Sequence, residues 1–177
     1  GNKNTFTKTN LSLILKSLKE EQKKYSIKIG GGDTVYSKIP SFSVTVIGFS
    51  NKIIERNNAK INDDIYVTGN LGDSFLGLKI MQNKINVKRV QKKYFINKYY
   101  CPDLPFYFSK KLNSFANTSI DVSDGLISDM ERLINNQSLS FEINLNNIPI
   151  SKNLDIFIKK NNISKKDFVF NGDDYQL

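Results

Sequence analysis

Between positions 11 and 25 the apolar residues recur with helical spacing. Leu11, Ile14, Leu15 and Leu18 stand at i, i+3, i+4 and i+7 with Lys and Glu opposite, and Asn10 precedes them as a candidate cap. The period then changes. Ser26–Ile29 alternates like a strand, and Phe42, Val44, Val46 and Phe49 form a second strand pattern rich in β-branched and aromatic residues. After a polar stretch from Asn57 to Asp64, Ile65–Val67 reads as a third strand closed by Thr68-Gly69. A helix is expected through Phe75, Leu76, Leu78, Ile80 and Met81, capped by Asn70 or Asp73. Further helices are expected over Val87–Tyr100, Gly125–Asn135 and Leu154–Lys160, and further strands over Ser119–Ser123, Phe141–Ile143 and Phe168–Phe170. Helices and strands mix without strict alternation. The expected fold class is therefore α+β, with a partial N-terminal α/β domain over residues 1–62 and a C-terminal α+β layered domain with a mixed sheet over residues 63–177.

Composition narrows the chemistry. Hydrophobic residues make up 39% and aromatics 11% of the 177 positions, enough apolar and aromatic side chains to exclude a disordered chain. The longest apolar runs, such as Val44–Phe49, are far shorter than the roughly 18 residues of a membrane span, so no membrane partner is expected. The chain has no His and a single Cys, Cys101. That excludes a disulfide framework, a Ser-His-Asp triad and a Cys-His pair, and leaves oxygen ligands, hence Mg²⁺ rather than zinc, for any metal. Cys101 has no activating neighbour in sequence and reads as inert. The net charge of +9 raises the possibility of a polyanionic partner. Lys, Asn and Ile are abundant everywhere, however, and no aromatic-basic module is present, so nucleic acid is disfavoured.

Three segments join acids to glycine at the end of a strand pattern. In Gly30-Gly31-Gly32-Asp33-Thr34, glycines permit close backbone approach to an anion and Asp33 can hold a cation bridging to it; an ordinary turn is the alternative. In Asp121-Val122-Ser123-Asp124-Gly125, a period of two puts Asp121 and Ser123 on one face, and Asp124 stands where a helix begins. Two carboxylates and a hydroxyl near a helix N-terminus suit Mg²⁺ and phosphate together, while an Asp cap with a buried Asp is the structural alternative. Gly172-Asp173-Asp174-Tyr175 sets two acids before an aromatic and suits a cationic or polar ligand, or a solvated loop. No P-loop, dinucleotide fingerprint or protein-kinase signature accompanies them.

Taken in order, Ile29–Thr34, Arg56–Lys60, Asp64–Ser74, Ile120–Leu126 and Gly172–Leu177, with an Ile-Pro at Ile148-Pro149, resemble the thiamine-monophosphate kinase family within the wider superfamily of aminoimidazole ribonucleotide synthetase-like ATP enzymes. The resemblance covers most of the chain after residue 10, and the Asp-Val-Ser-Asp-Gly-Leu run points to the thiamine branch. It implies an ATP- and Mg²⁺-dependent transfer of the γ-phosphoryl to thiamine phosphate, in a cytoplasmic homodimer of two-domain subunits. Residues 1–62 would then be the C-terminal part of the ATP-binding domain. It further implies Asp33, Asp121 and Asp124 as metal ligands, Gly32, Asp33, Arg56 and Ser123 at the ATP, and Asp173 as a substrate-binding acid.

This sequence also departs from the family's pattern. Asp173 stands where Glu is usual, Asn171 replaces a Gly, and Asn57-Asn58 replaces a Ser-Gly. The family pattern includes a preceding segment whose acids complete the Mg²⁺ cluster, and a following segment that covers the thiamine. The chain opens Gly1-Asn2-Lys3-Asn4 without Met and stops at Leu177 just after a motif, so it is expected to be a piece of such an enzyme, inactive by itself. The alternatives are another ATP-dependent member of the superfamily, such as a selenophosphate synthetase or a hydrogenase-maturation factor, or a non-catalytic remnant or subunit.

Overall fold

The structure, a computed structural model, describes residues 7–35, 37, 39 and 41–177; the opening Gly1–Asn4 stretch lies outside them. The chain divides into two compact units, Gly1–Ser50 and Asn51–Leu177. In the first, α1 runs over Lys8–Tyr25. Its cap is Thr7 rather than Asn10: the Thr7 hydroxyl accepts from the Asn10 N–H at 3.1 Å. Ser26 ends the helix in the left-handed region, and Lys23 and Lys24 sit in the last turn, where the helix dipole favours cations. None of the residues of α1 is buried.

The second unit carries α2 (Asp73–Met81), α3 (Arg89–Tyr100), α4 (Phe106–Leu112), α5 (Leu126–Leu133), α6 (Lys152–Asn161) and α7 (Lys166–Val169), with a 3₁₀ turn at Leu145–Asn147. Its core is two apolar clusters. Val122, Leu126, Met130, Leu133, Ile148 and Val169 make the first, gathered around the buried stripe of α5. Leu76, Ile80, Phe95, Leu154, Phe157 and Phe168 make the second, where α2, α3 and α6 meet. The short helix α7 joins them, because Phe168 enters one cluster and its neighbour Val169 the other. Close approach of α2 to α3 needs Gly77, since a Cβ there would collide with the Phe95 carbonyl oxygen. Ser151 caps α6, its Oγ accepting from the Leu154 N–H at 3.0 Å.

The helices expected from apolar spacing are present, whereas the expected α+β class is not. Among the described residues there are seven α-helices and no strand, so neither a partial α/β domain nor a layered domain with a mixed sheet is formed. Alternation decides which face a strand would bury, but a ladder exists only where a neighbour supplies successive backbone partners. Val44, Val46 and Phe49 are 80%, 84% and 97% exposed, without the burial that would hold a strand in place. Ser119–Ser123 exchanges only scattered bonds with Asp173–Leu177, such as Val122 N–H to Gln176 O at 2.8 Å and Tyr175 N–H to Val122 O at 2.9 Å. Phe168 and Val169 lie in a helical turn, which lets adjacent residues serve two clusters. Among the described residues no helix is long and apolar enough to cross a membrane.

Candidate functional site

The Asp121–Gly125 turn is shaped by a residue outside it. The N–H groups of Ser123, Asp124 and Gly125 all donate to Asp129 Oδ2, at 2.9, 2.9 and 3.0 Å. Asp129 is 2% exposed, and its other oxygen accepts from Arg132 Nη1 at 3.1 Å. Arg132 also pairs with Asp124, and that carboxylate together with Asp129 holds the guanidinium pKa above its usual value. Gly125 adopts φ +141°, and a Cβ there would run into the Phe170 carbonyl, so the entry to α5 requires glycine.

The second acidic turn lies directly against the first. A Cβ on Gly172 would collide with the Ser123 carbonyl oxygen, so the backbones of the two turns are in contact. The Asp173 N–H donates to Ser123 O at 2.9 Å, and both Asp173 and Tyr175 take positive φ, 67° and 52°. Burial, and then the negative charges of Asp173, Asp121 and Asp124, raise the pKa of the Tyr175 phenol. Three of the candidate acids thus act on one ring. Asp121 and Asp124 are exposed, and Ser123 and Asp173 are half-buried.

Asp174 of the second turn also lines a cleft of about 290 Å³, together with Thr68, Asp73, Ser74, Lys98 and Gln176 among others. Asp174, 3% exposed, accepts from the N–H groups of Gly72 at 2.7 Å and Ser74 at 3.3 Å. Burial nevertheless dominates and pushes its pKa up to about 6. Asp73 is also raised by burial, against hydrogen bonds from the Ser151 hydroxyl at 2.7 Å and the Tyr94 hydroxyl at 2.8 Å. Lys98 pairs with Asp103 at the rim. The Gln176 amide donates to Asp103 O at 2.7 Å and Thr68 Oγ1 donates to Gln176 Oε1 at 3.0 Å, tying the C-terminal residues to the cleft wall.

Of the residues singled out in the sequence, Asp121, Ser123, Asp124 and Asp173 are brought together. Arg56 is exposed in the same unit, beside Asn57, whose N–H donates to Leu133 O at 2.7 Å at the end of α5. Gly32 and Asp33 belong to the first unit; both are exposed, and Asp33 Oδ1 accepts from the Thr34 N–H at 2.7 Å. Among the described residues no three Asp, Glu or Cys side chains converge as a metal-holding group, and Asp124 is already paired with Arg132. The acids therefore do not make a complete Mg²⁺ site by themselves. Sequence reasoning missed Asp129 and Arg132, and it gave Asp73 only as a helix cap and Asp174 only as one of two acids in a turn, without their burial in the cleft. Asp129 leaves a trace in the sequence, since an acid between Leu126, Met130 and Leu133 falls on the apolar stripe of α5.

No protein-family profile matches the chain. Comparison with curated proteins finds the thiamine-monophosphate kinase of Buchnera aphidicola from Acyrthosiphon pisum, 39% identical over 87% of this chain and 48% of that protein. The Escherichia coli K12 thiamine-monophosphate kinase is 32% identical over 86% of this chain and 47% of its own. Among solved structures, the thiamine monophosphate kinase of Aquifex aeolicus superposes with a TM-score of 0.63 at 28% identity, over 70% of this chain and 42% of that one. A related structure, at 27% identity and TM-score 0.63 over 70% of this chain and 40% of that one, holds AMPPCP and TMP. The chain spans about half the length of the curated relatives it matches. With its acidic turns in the expected order and in mutual contact, and with this similarity over most of its length, the chain belongs to the thiamine-monophosphate kinase family.

Proposed function

We propose that this chain provides part of an ATP-dependent phosphotransferase that converts thiamine phosphate to thiamine diphosphate. The observation that carries the reading is the contact between the Asp121–Gly125 and Gly172–Tyr175 turns, which gathers Asp121, Ser123, Asp124 and Asp173 around one exposed edge. Phosphoryl transfer asks little covalent chemistry of a protein and much positioning and charge control. In this reading Ser123 and Arg56 of the second unit serve the nucleotide and Asp121 and Asp124 its Mg²⁺, while Gly32 and Asp33 of the first unit keep the ATP-binding role, and Asp33 the metal-binding role, that the family resemblance gives them. An ion delivered as Mg²⁺-ATP brings phosphate and water ligands with it, which suits acids that form no closed cluster. Asp173 and the Tyr175 ring, set in a negative field, suit the cationic thiazolium of thiamine phosphate. Residues 1–62 belong in this reading to the ATP-binding domain, and the working enzyme is a cytoplasmic homodimer.

By itself the chain is expected to bind Mg²⁺-ATP weakly and to give no useful turnover. The test pairs calorimetric titration with Mg²⁺-AMPPCP and thiamine phosphate with an assay of thiamine diphosphate formation, using Asp121→Asn as control. Saturable binding that the substitution weakens supports the proposal. Binding of neither ligand sinks it, and robust turnover by the wild-type chain, abolished in Asp121→Asn, overturns the expected inactivity.

A further inference from the structure

Consecutive N–H groups leading into a helix ordinarily form a cradle for phosphate or another anion. In the Asp121–Gly125 turn this cradle is filled from within the chain. One oxygen, Asp129 Oδ2, receives Ser123, Asp124 and Gly125 at 2.9, 2.9 and 3.0 Å, and the carboxylate is 2% exposed. Arg132 closes the arrangement from the other side, donating to Asp129 Oδ1 at 3.1 Å and pairing with Asp124. We infer that Asp129 is a built-in anion that occupies the phosphate cradle at the start of α5, and so acts as the positioning residue of the loop. Phosphate-bearing ligands are then met by the side chains of Asp121, Ser123 and Asp124 and not by the loop amides.

The geometry gives this a direct cause. Three successive N–H groups aimed at one inward point leave the Asp124 side chain, the middle one of the three, on the outer surface, where it is exposed. A single buried acceptor thus fixes where that outward carboxylate stands. The link to phosphate handling rests on the phosphotransferase reading above, whereas the filled cradle does not.

The experiment uses the ¹⁵N-labelled chain, with inorganic phosphate and Mg²⁺-AMPPCP as separate probes. In the wild type the Ser123, Asp124 and Gly125 amides should be protected from exchange and should not shift with phosphate. Asp129→Ala should raise their exchange at least about tenfold, the order expected for losing a charge-assisted bond, and should open the cradle so that phosphate shifts them saturably. Asp129→Asn keeps an oxygen acceptor and should stay protected and indifferent to phosphate. Saturable shifts of these amides by phosphate in the wild type would overturn the inference, as would unchanged protection in a folded Asp129→Ala. If that variant does not fold, the wild-type titration and the Asp129→Asn exchange still decide. Failure of Mg²⁺-AMPPCP to shift any residue would count against the phosphotransferase reading alone.

Discussion

Asp174 offers the cleanest quantitative test, because the chain contains no histidine. Between pH 5 and 7 few groups with ordinary pKa values titrate, so a carboxyl displaced into that window stands out. Asp174 is 3% exposed and titrates near 6 in the fold, against 3.8 for its unperturbed value. Its folded pKa is raised, so the unfolded chain releases this proton more readily. Its contribution to stability is greatest below pH 3.8 and is lost as pH rises through about 6. From these two values, keeping the carboxylate buried costs on the order of 3 kcal/mol at pH 7 and about half as much at pH 5. The wild type should therefore gain about 1 kcal/mol between pH 7 and 5, or about half a molar in urea midpoint for a slope near 2 kcal/mol/M. Asp73, also raised by burial, adds in the same direction. Asp174→Asn cannot ionise and forfeits one of the two bonds to Gly72 and Ser74, so its absolute stability shifts. The informative quantity is the slope with pH. Urea unfolding followed by helical circular dichroism at pH 5, 6 and 7 measures it for both proteins. A wild-type midpoint that is flat or falls on acidification, or a wild-type-minus-mutant difference independent of pH, would refute the reasoning.

Gly172→Ala places a methyl group against the Ser123 and Asp124 backbone and should lower unfolding free energy by about 1–3 kcal/mol in the same urea assay. Leu154 is fully buried in the second cluster, and Leu154→Ala should cost about 2–5 kcal/mol, measured as a lower thermal midpoint. Asp121 is exposed, so Asp121→Asn should leave the urea midpoint unchanged while weakening Mg²⁺-AMPPCP binding about tenfold, roughly 1.4 kcal/mol by calorimetry.

What could be read in advance divides along physical lines. The stripes Leu126-Met130-Leu133 and Leu154-Phe157-Ile158 carry a 3.6-residue period that a helix satisfies from its own backbone, and both helices are present. Phe42-Val44-Val46 carries a two-residue period whose fulfilment depends on a partner elsewhere, and no strand results there. The turn Asp121–Gly125 was legible as a place for chemistry because its acids and glycine are adjacent. What shapes it was less so: Asp129 lies inside a helix and announces itself only as an acid on an apolar stripe. Asp174 was visible as an acid in a turn, but its burial against Gly72 and Ser74 follows from a contact about a hundred residues away in sequence, which no local pattern encodes.

That difference in reach also orders the assembly of the site in time. The bonds to Asp129 span only 4 to 6 residues, so the Asp121–Gly125 turn closes at small entropic cost as α5 forms. Asp174 to Gly72 and Leu177 to Thr68 span 102 and 109 residues, and wait on the collapse of the whole second unit. One half of the acidic edge is thus a local nucleus and the other a late arrival. In a refolding experiment with pulsed exchange, the Ser123–Gly125 amides should become protected before those of Gly72 and Ser74, and simultaneous protection would contradict that order. A chain stalled before its last contacts would carry a finished first turn with nothing pressed against it.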